Sequence, residues 1–156
     1  MKEKPFNKAL WKLKVETFLK KNNIFNVNYD YLYEALTHSS FAHEHKYQSN
    51  ERLAFLGDAM LTAEVSMLLF ERYPDKPEGF LSIERAKLVS NKNFAEHAKR
   101  IGLDKVILLG KGECVSGGNM KQSILASSYE ALVAALSFSI CTSFPNHILD
   151  LGGTHG

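Results

Sequence analysis

Apolar residues recur at spacings of three and four along most of this chain, and strict alternation is absent, so the pattern predicts helices rather than strands. Leu10, Leu13 or Lys14, and Phe18 mark a first helix over about residues 7–21. "YDYLYEALTHSS" predicts a second, with Asp30 placed to cap it. "NERLAFLGDAMLTAEVSMLLFERY" predicts the longest, over 51 to about 71 and ended near Pro74. "DKPEGF" reads as a loop, "LSIERAKLVS" as a fourth helix and "NKNFAEHAKRIG" as a fifth, with Gly102 placed to close it. "KVILLG" fits a short helix or a strand-like run, and "GKGECVSGGNM" a glycine-rich loop. "KQSILASSYEALVAALSFSI" predicts a last long helix over about 121–139. The expectation is an all-α fold, one domain over residues 1–156, with the two long helices at its core. The final "CTSFPNHILDLGGTHG" lacks periodicity and is expected to be irregular and frayed.

Composition narrows the class. The chain has 156 residues, 45% hydrophobic and 23% charged, which suits one globular domain. The N-terminal "MKEKPFNKALWKLKVETFLKK" lacks the apolar centre of a secretory signal, and the apolar runs are short, so neither export nor a membrane span is expected. The cytoplasm is the expected location. A net charge of +2 does not by itself announce nucleic-acid binding. The lysines of the first helix form a basic amphipathic segment whose simplest role is a solvated face. Cys114 and Cys141 stand 27 residues apart with no partners at ligand spacing, which supports neither a disulfide framework nor a zinc site.

The chemistry concentrates on the two long helices. At about 100° per residue, Glu51, Ala54 and Asp58 share one sector of the first. Ser127 and Glu130 share a face of the second, among Ile124, Leu125, Leu132, Val133 and Leu136. If the helices pack together, Asp58 and Glu130 converge, and paired carboxylates suit a hard divalent ion such as magnesium. The competing reading is that these acids are merely solvated. Gly57 points to a close helix–helix approach, because a mid-helix glycine costs about 1 kcal/mol relative to alanine.

"NERLAFLGDAML" resembles the signature of the ribonuclease III family, N-E-R-L-E-F-L-G-D-A followed by an apolar residue. "ALTHSSFAHE", "PEGFLS", "LGKGE…SGGNMKQSILA" and "EALVAAL" resemble further family segments in the family's order, so that the likeness spans about residues 29–137. The resemblance implies an all-helical catalytic domain that forms a homodimer and cuts double-stranded RNA with magnesium, manganese being a possible substitute. Residue by residue, it implies catalytic and metal-binding roles for Asp58, Glu130 and Glu51. It adds Glu78, in "PEGF", as a further acid near the metal, and places Phe55 in the partner subunit. Read from the residues alone, Phe55 suits ordinary core packing equally well. His38, in "THSS", reads as structural, and Gly117-Gly118 as a turn rather than a phosphate cradle.

Two departures stand out. Ala54 occupies a position where the family normally has glutamate, and Ser127 one where it has aspartate (A-D-x-x-E-A, here "ASSYEA"). A methyl group cannot ligate a metal, and a hydroxyl brings no charge. The expected result is a weakened or inactive nuclease. Many family members also continue into a separate double-stranded-RNA-binding domain. Only about 19 residues follow the likeness here, so no such domain is expected and RNA affinity would rest on the catalytic-domain cleft. Lys87, Lys92, Lys111 and Lys121 are candidate phosphate contacts there. Three functions compete: a slow double-strand-specific ribonuclease, a catalytically silent RNA-binding or scaffold module, and a subunit pairing as a heterodimer with an active relative.

Overall fold

The computed structural model describes residues 6–139, and every regular element among them is helical. In chain order they are α1 Lys8–Lys21, α2 Tyr29–Ala35, α3 Ser39–His45, α4 Glu51–Arg72, α5 Glu78–Leu88, α6 Asn91–Ile101, α7 Lys111–Val115 and α8 Gln122–Ser137. Short 3-10 turns at Leu103–Lys105 and Gly118–Met120 complete the path. The all-α expectation therefore holds. The "CTSFPNHILDLGGTHG" stretch, with Cys141, lies outside the described residues; Cys114 is an exposed free thiol.

α8 is the axis of the fold. Tyr129, Leu132, Leu125 and Ala134 on it are fully buried. It packs against the buried stripe Leu61, Val65 and Leu69 of α4 on one side, and Phe94, Ala98 and Ile101 of α6 on the other. α4 has the length and composition to cross a membrane, contrary to the expectation that no segment does. Here it is the helix most extensively packed on α8, and Asp58 and Glu64 interrupt its apolar surface.

Several boundaries differ from the sequence reading. Asn28, not Asp30, caps α2, its Oδ1 accepting from the amides of Asp30 (3.1 Å) and Tyr31 (3.3 Å). "HSSFAHEH" forms its own helix, α3, begun by the His38 ring, whose Nδ1 accepts from the Ser40 amide at 3.2 Å. α5 already starts at Glu78, so "EGF" belongs to it rather than to a loop. Part of the glycine-rich stretch is helical, as α7. "KVILLG" forms neither a full helix nor a strand: Lys105 closes the 3-10 turn and Leu108 pairs with Thr37 in an isolated parallel bridge. Gly102 ends α6 at φ 81°, as expected.

Of the expected α1 positions only Phe18 turns inward. Trp11, Val15, Phe18 and Leu19 are buried, whereas Leu10 and Leu13 are 52% and 65% exposed. Two long-range hydrogen bonds select that face. The Trp11 indole donates to the Val106 carbonyl at 2.7 Å, and the Asn22 amide to the Ile101 carbonyl at 3.0 Å.

Candidate active site

The site begins at the closest approach of α4 and α8. A Cβ built on Gly57 would overlap the backbone carbonyl of Glu130. Only glycine lets the helices meet this closely. The contact brings Asp58 and Glu130 to one place. Burial, and then the Asp58 carboxylate, push the Glu130 carboxyl up to about 7.

The surroundings explain the burial. Ala54 is packed with Ala35, Ala131, Ala134 and Ala135, so it sits deeper than Glu51 and Asp58, which are exposed. Ser127 is half-buried, and its hydroxyl donates back to the Ile124 carbonyl at 3.2 Å. Glu51 accepts from the Ser49 hydroxyl at 2.8 Å. Glu78 starts α5 and accepts from Ser82 at 2.5 Å. Among the described residues no group of three or more histidine, cysteine, aspartate or glutamate side chains assembles that could hold a metal ion. Two carboxylates beside a methyl group and a hydroxyl already bonded to a backbone carbonyl do not fit an ion held chiefly by protein oxygens.

The sequence reading missed Asn50 and Ser128. Asn50 is buried and its side chain does not cap α4. It donates instead to the Ala35 carbonyl (3.2 Å) and to the Ser128 hydroxyl (3.4 Å), tying α2, α4 and α8 together just before Glu51. The signal available was a polar residue next to the signature acids. Of the candidate lysines, Lys121 is bonded to Glu113 at 2.7 Å and Lys87 is paired with Glu84, while Lys92 is exposed. The Lys111 side chain is exposed, and its backbone amide donates to Glu44 at 2.9 Å. His38 is half-buried, and burial lowers its pKa.

Phe55 is 82% exposed, which rules out core packing within the chain. It heads an apolar stripe on the outer face of α4: Phe55, Ala59, Ala63, Met67 and Phe70 follow at helical spacing, all exposed. A groove beside Phe55 is lined by Tyr31, Leu53, Leu56 and Phe138.

The ribonuclease-III-like family model matches residues 28–143. The chain belongs to this family. Similar relatives include Ribonuclease 3 of Anoxybacillus flavithermus, 41% identical over 127 residues that cover 80% of this chain and 53% of that protein. Another is Ribonuclease 3 of Enterococcus faecalis, 46% identical over 108 residues covering 67% and 47%. The chain thus spans about half the length of the curated relatives it matches. The solved nuclease domain of ribonuclease III from Campylobacter jejuni is similar over 88% of this chain and 94% of its own, with 37% identity and a TM-score of 0.79. That study describes flexibility in a region involved in dimer formation of the Campylobacter domain. The match covers a nuclease domain almost end to end, so this chain has the ribonuclease-III-like nuclease-domain fold.

The raised Glu130 pKa has a consequence for stability. A carboxyl that keeps its proton to higher pH when folded favours the folded state at low pH. Its contribution is intact below the unfolded value of 4.5, falls as pH rises toward about 7, and is lost above that. Glu130→Gln should remove this slope and stabilise the fold at pH 8 by about 1 kcal/mol, after discounting for partial exposure. Urea unfolding of both proteins at pH 5 and pH 8 checks this; equal slopes would contradict the burial argument.

Proposed function

We propose that this chain is a ribonuclease III-like domain that binds double-stranded RNA as a homodimer in the cytoplasm and whose cleavage is weakened or lost. The observation that carries the reading is the composition of the α4–α8 contact: Asp58 and Glu130 meet, while Ala54 and Ser127 stand at the positions of the family's other two acids. Two acids, one of them with a raised pKa, attract a cation less than four ionised carboxylates would. Asp58, Glu130 and Glu51 are the residues we assign to any residual catalysis, with Glu78 as a peripheral acid. Magnesium or manganese is the assay cofactor that the family suggests. RNA affinity suffers less than cutting, because it depends on basic groups, and removing acid near phosphate reduces repulsion. Incubating the protein with a labelled RNA duplex and magnesium or manganese tests this: salt-sensitive binding with little product is expected.

The exposed stripe from Phe55 to Phe70 supports the homodimer, since Phe55, Met67 and Phe70 on one helix face, with Ala59 and Ala63 between them, are costly in water. The same face suits a related subunit, so the heterodimer is the second reading. Phe55→Ala should weaken self-association about tenfold or more, as for an aromatic anchor at an interface. Sedimentation at micromolar concentration reads the change. Monomers for both proteins would remove the homodimer from the account.

A further inference from the structure

The beginning of α1 carries a second concave site, which the nuclease reading does not use. A cavity of about 340 Å³ opens between α1, α2 and the segment joining α3 to α4. Its walls are the rings of Phe6, Trp11, Tyr33 and Tyr47, and Leu108 also lines it. Trp11 is fixed by its 2.7 Å bond to the Val106 carbonyl and lies 5.1 Å from the Tyr33 ring, so this wall is preformed. Asp30 and Glu34 also line the cavity and bring two hydrogen-bond acceptors to it. A volume of this order accepts a small organic ligand.

Charge decides which ligand. Aromatic walls with two acids would suit an organic cation. Yet Lys8 lines the cavity too, its ammonium 5.7 Å from the Tyr47 ring, and Lys12 lies 5.3 Å from the Tyr33 ring. Phe6, Lys8, Trp11 and Leu108 are shared with a wider groove of about 790 Å³ that adds Lys14 and Lys105 and contains no acid. A cation would meet these lysines. A planar ring joined to an anion satisfies both halves: the ring stacks in the aromatic cavity, and the anion lies along the lysine groove. Aromatic stacking beside a basic track is how single-stranded nucleic acid is held without base pairing. Carboxylates at the ring edge accept N–H groups, which guanine presents and an all-acceptor edge does not.

We propose that the Trp11–Tyr33–Tyr47 cavity and the adjoining Lys8–Lys14–Lys105 groove form a nucleotide subsite that holds an unpaired base, with its phosphate, at a single-stranded end of RNA. The choice of RNA rests on the proposed function, while the subsite is tested apart from it. Trp11 is the chain's single tryptophan and lines both the cavity and the adjoining groove, so its fluorescence reports on this subsite. Guanosine 5′-monophosphate, corrected for absorption with free tryptophan, should quench it saturably. Inorganic phosphate and choline should not.

Tyr47 is 46% exposed. Tyr47→Ala should weaken the nucleotide about fivefold or more, with blunt-duplex binding unchanged. Lys14→Glu and Lys105→Glu should each weaken it about threefold and flatten its salt dependence. These exposed lysine variants keep the test decisive if Tyr47→Ala fails to fold. A duplex with a few unpaired nucleotides should quench Trp11 where the blunt duplex does not. Absence of saturable quenching, quenching that survives both kinds of variant, or quenching by choline instead would overturn the subsite. If blunt duplex still binds in that case, the proposed function stands without it. If nucleotide binds and duplex does not, the proposed function fails and the subsite stands.

Discussion

An Ala54→Glu/Ser127→Asp double variant is expected to cut double-stranded RNA about a hundredfold or more faster than the unmodified chain. Each change returns a carboxylate beside Asp58 and Glu130, where among the described residues no third metal-ligating side chain joins them. The gain should carry a cost in stability. Position 54 is buried among Ala35, Ala131, Ala134 and Ala135, so a carboxylate there loses solvent and meets like charge. We expect the double variant to be less stable by about 1–3 kcal/mol while being more active. Faster cleavage with lower stability separates a restored site from a general improvement in folding. Comparison of initial cleavage rates and urea midpoints reads both. An unmodified chain that already cuts as fast as the variant would remove the basis of the proposal.

Gly57→Ala should be among the most damaging small substitutions in the molecule. The added Cβ overlaps the Glu130 carbonyl, and backbone on both sides leaves it nowhere to go. Relieving the overlap means separating α4 from α8 along the main core contact, at a cost of about 3 kcal/mol or more. Gly79→Ala is the natural contrast. Gly79 lies in the first turn of α5 with open space around its Cβ direction, so the same chemical change should be neutral or stabilise by up to about 1 kcal/mol. Chemical denaturation of both variants decides it. A Gly57→Ala protein within about 0.5 kcal/mol of the parent would show that the two helices are not locked at this point.

The long helices were legible because periodicity needs length. α4 and α8 run 22 and 16 residues, enough for the apolar spacing and for Gly57 to announce the close approach between them. α3 and α7 run 7 and 5, too short to show a period. They are joined by tertiary bonds: Ser40 accepts from the Gly110 amide at 2.8 Å, and Glu44 from the Lys111 amide at 2.9 Å. A Cβ at Gly110 would strike both Glu44 and Ser40, so the close approach of α3 to the start of α7 needs glycine there. The inward face of α1 was misread because it is chosen by the distant Val106 and Ile101 carbonyls. At the candidate site, the spacing of Asp58 and Glu130 was readable once the helices were paired. The depth of Ala54 and the Asn50–Ser128 link were not, since both depend on how α2 closes over that contact.

The most direct measurement follows binding and cutting in one sample. A labelled RNA duplex is mixed with the unmodified protein and magnesium, and bound and cleaved fractions are read together across a salt series. The account predicts duplex bound at low salt and released as salt rises, with little product in the time a four-carboxylate relative takes to finish. Repeated turnover at a rate comparable to that relative, or no duplex bound at low salt, would contradict it.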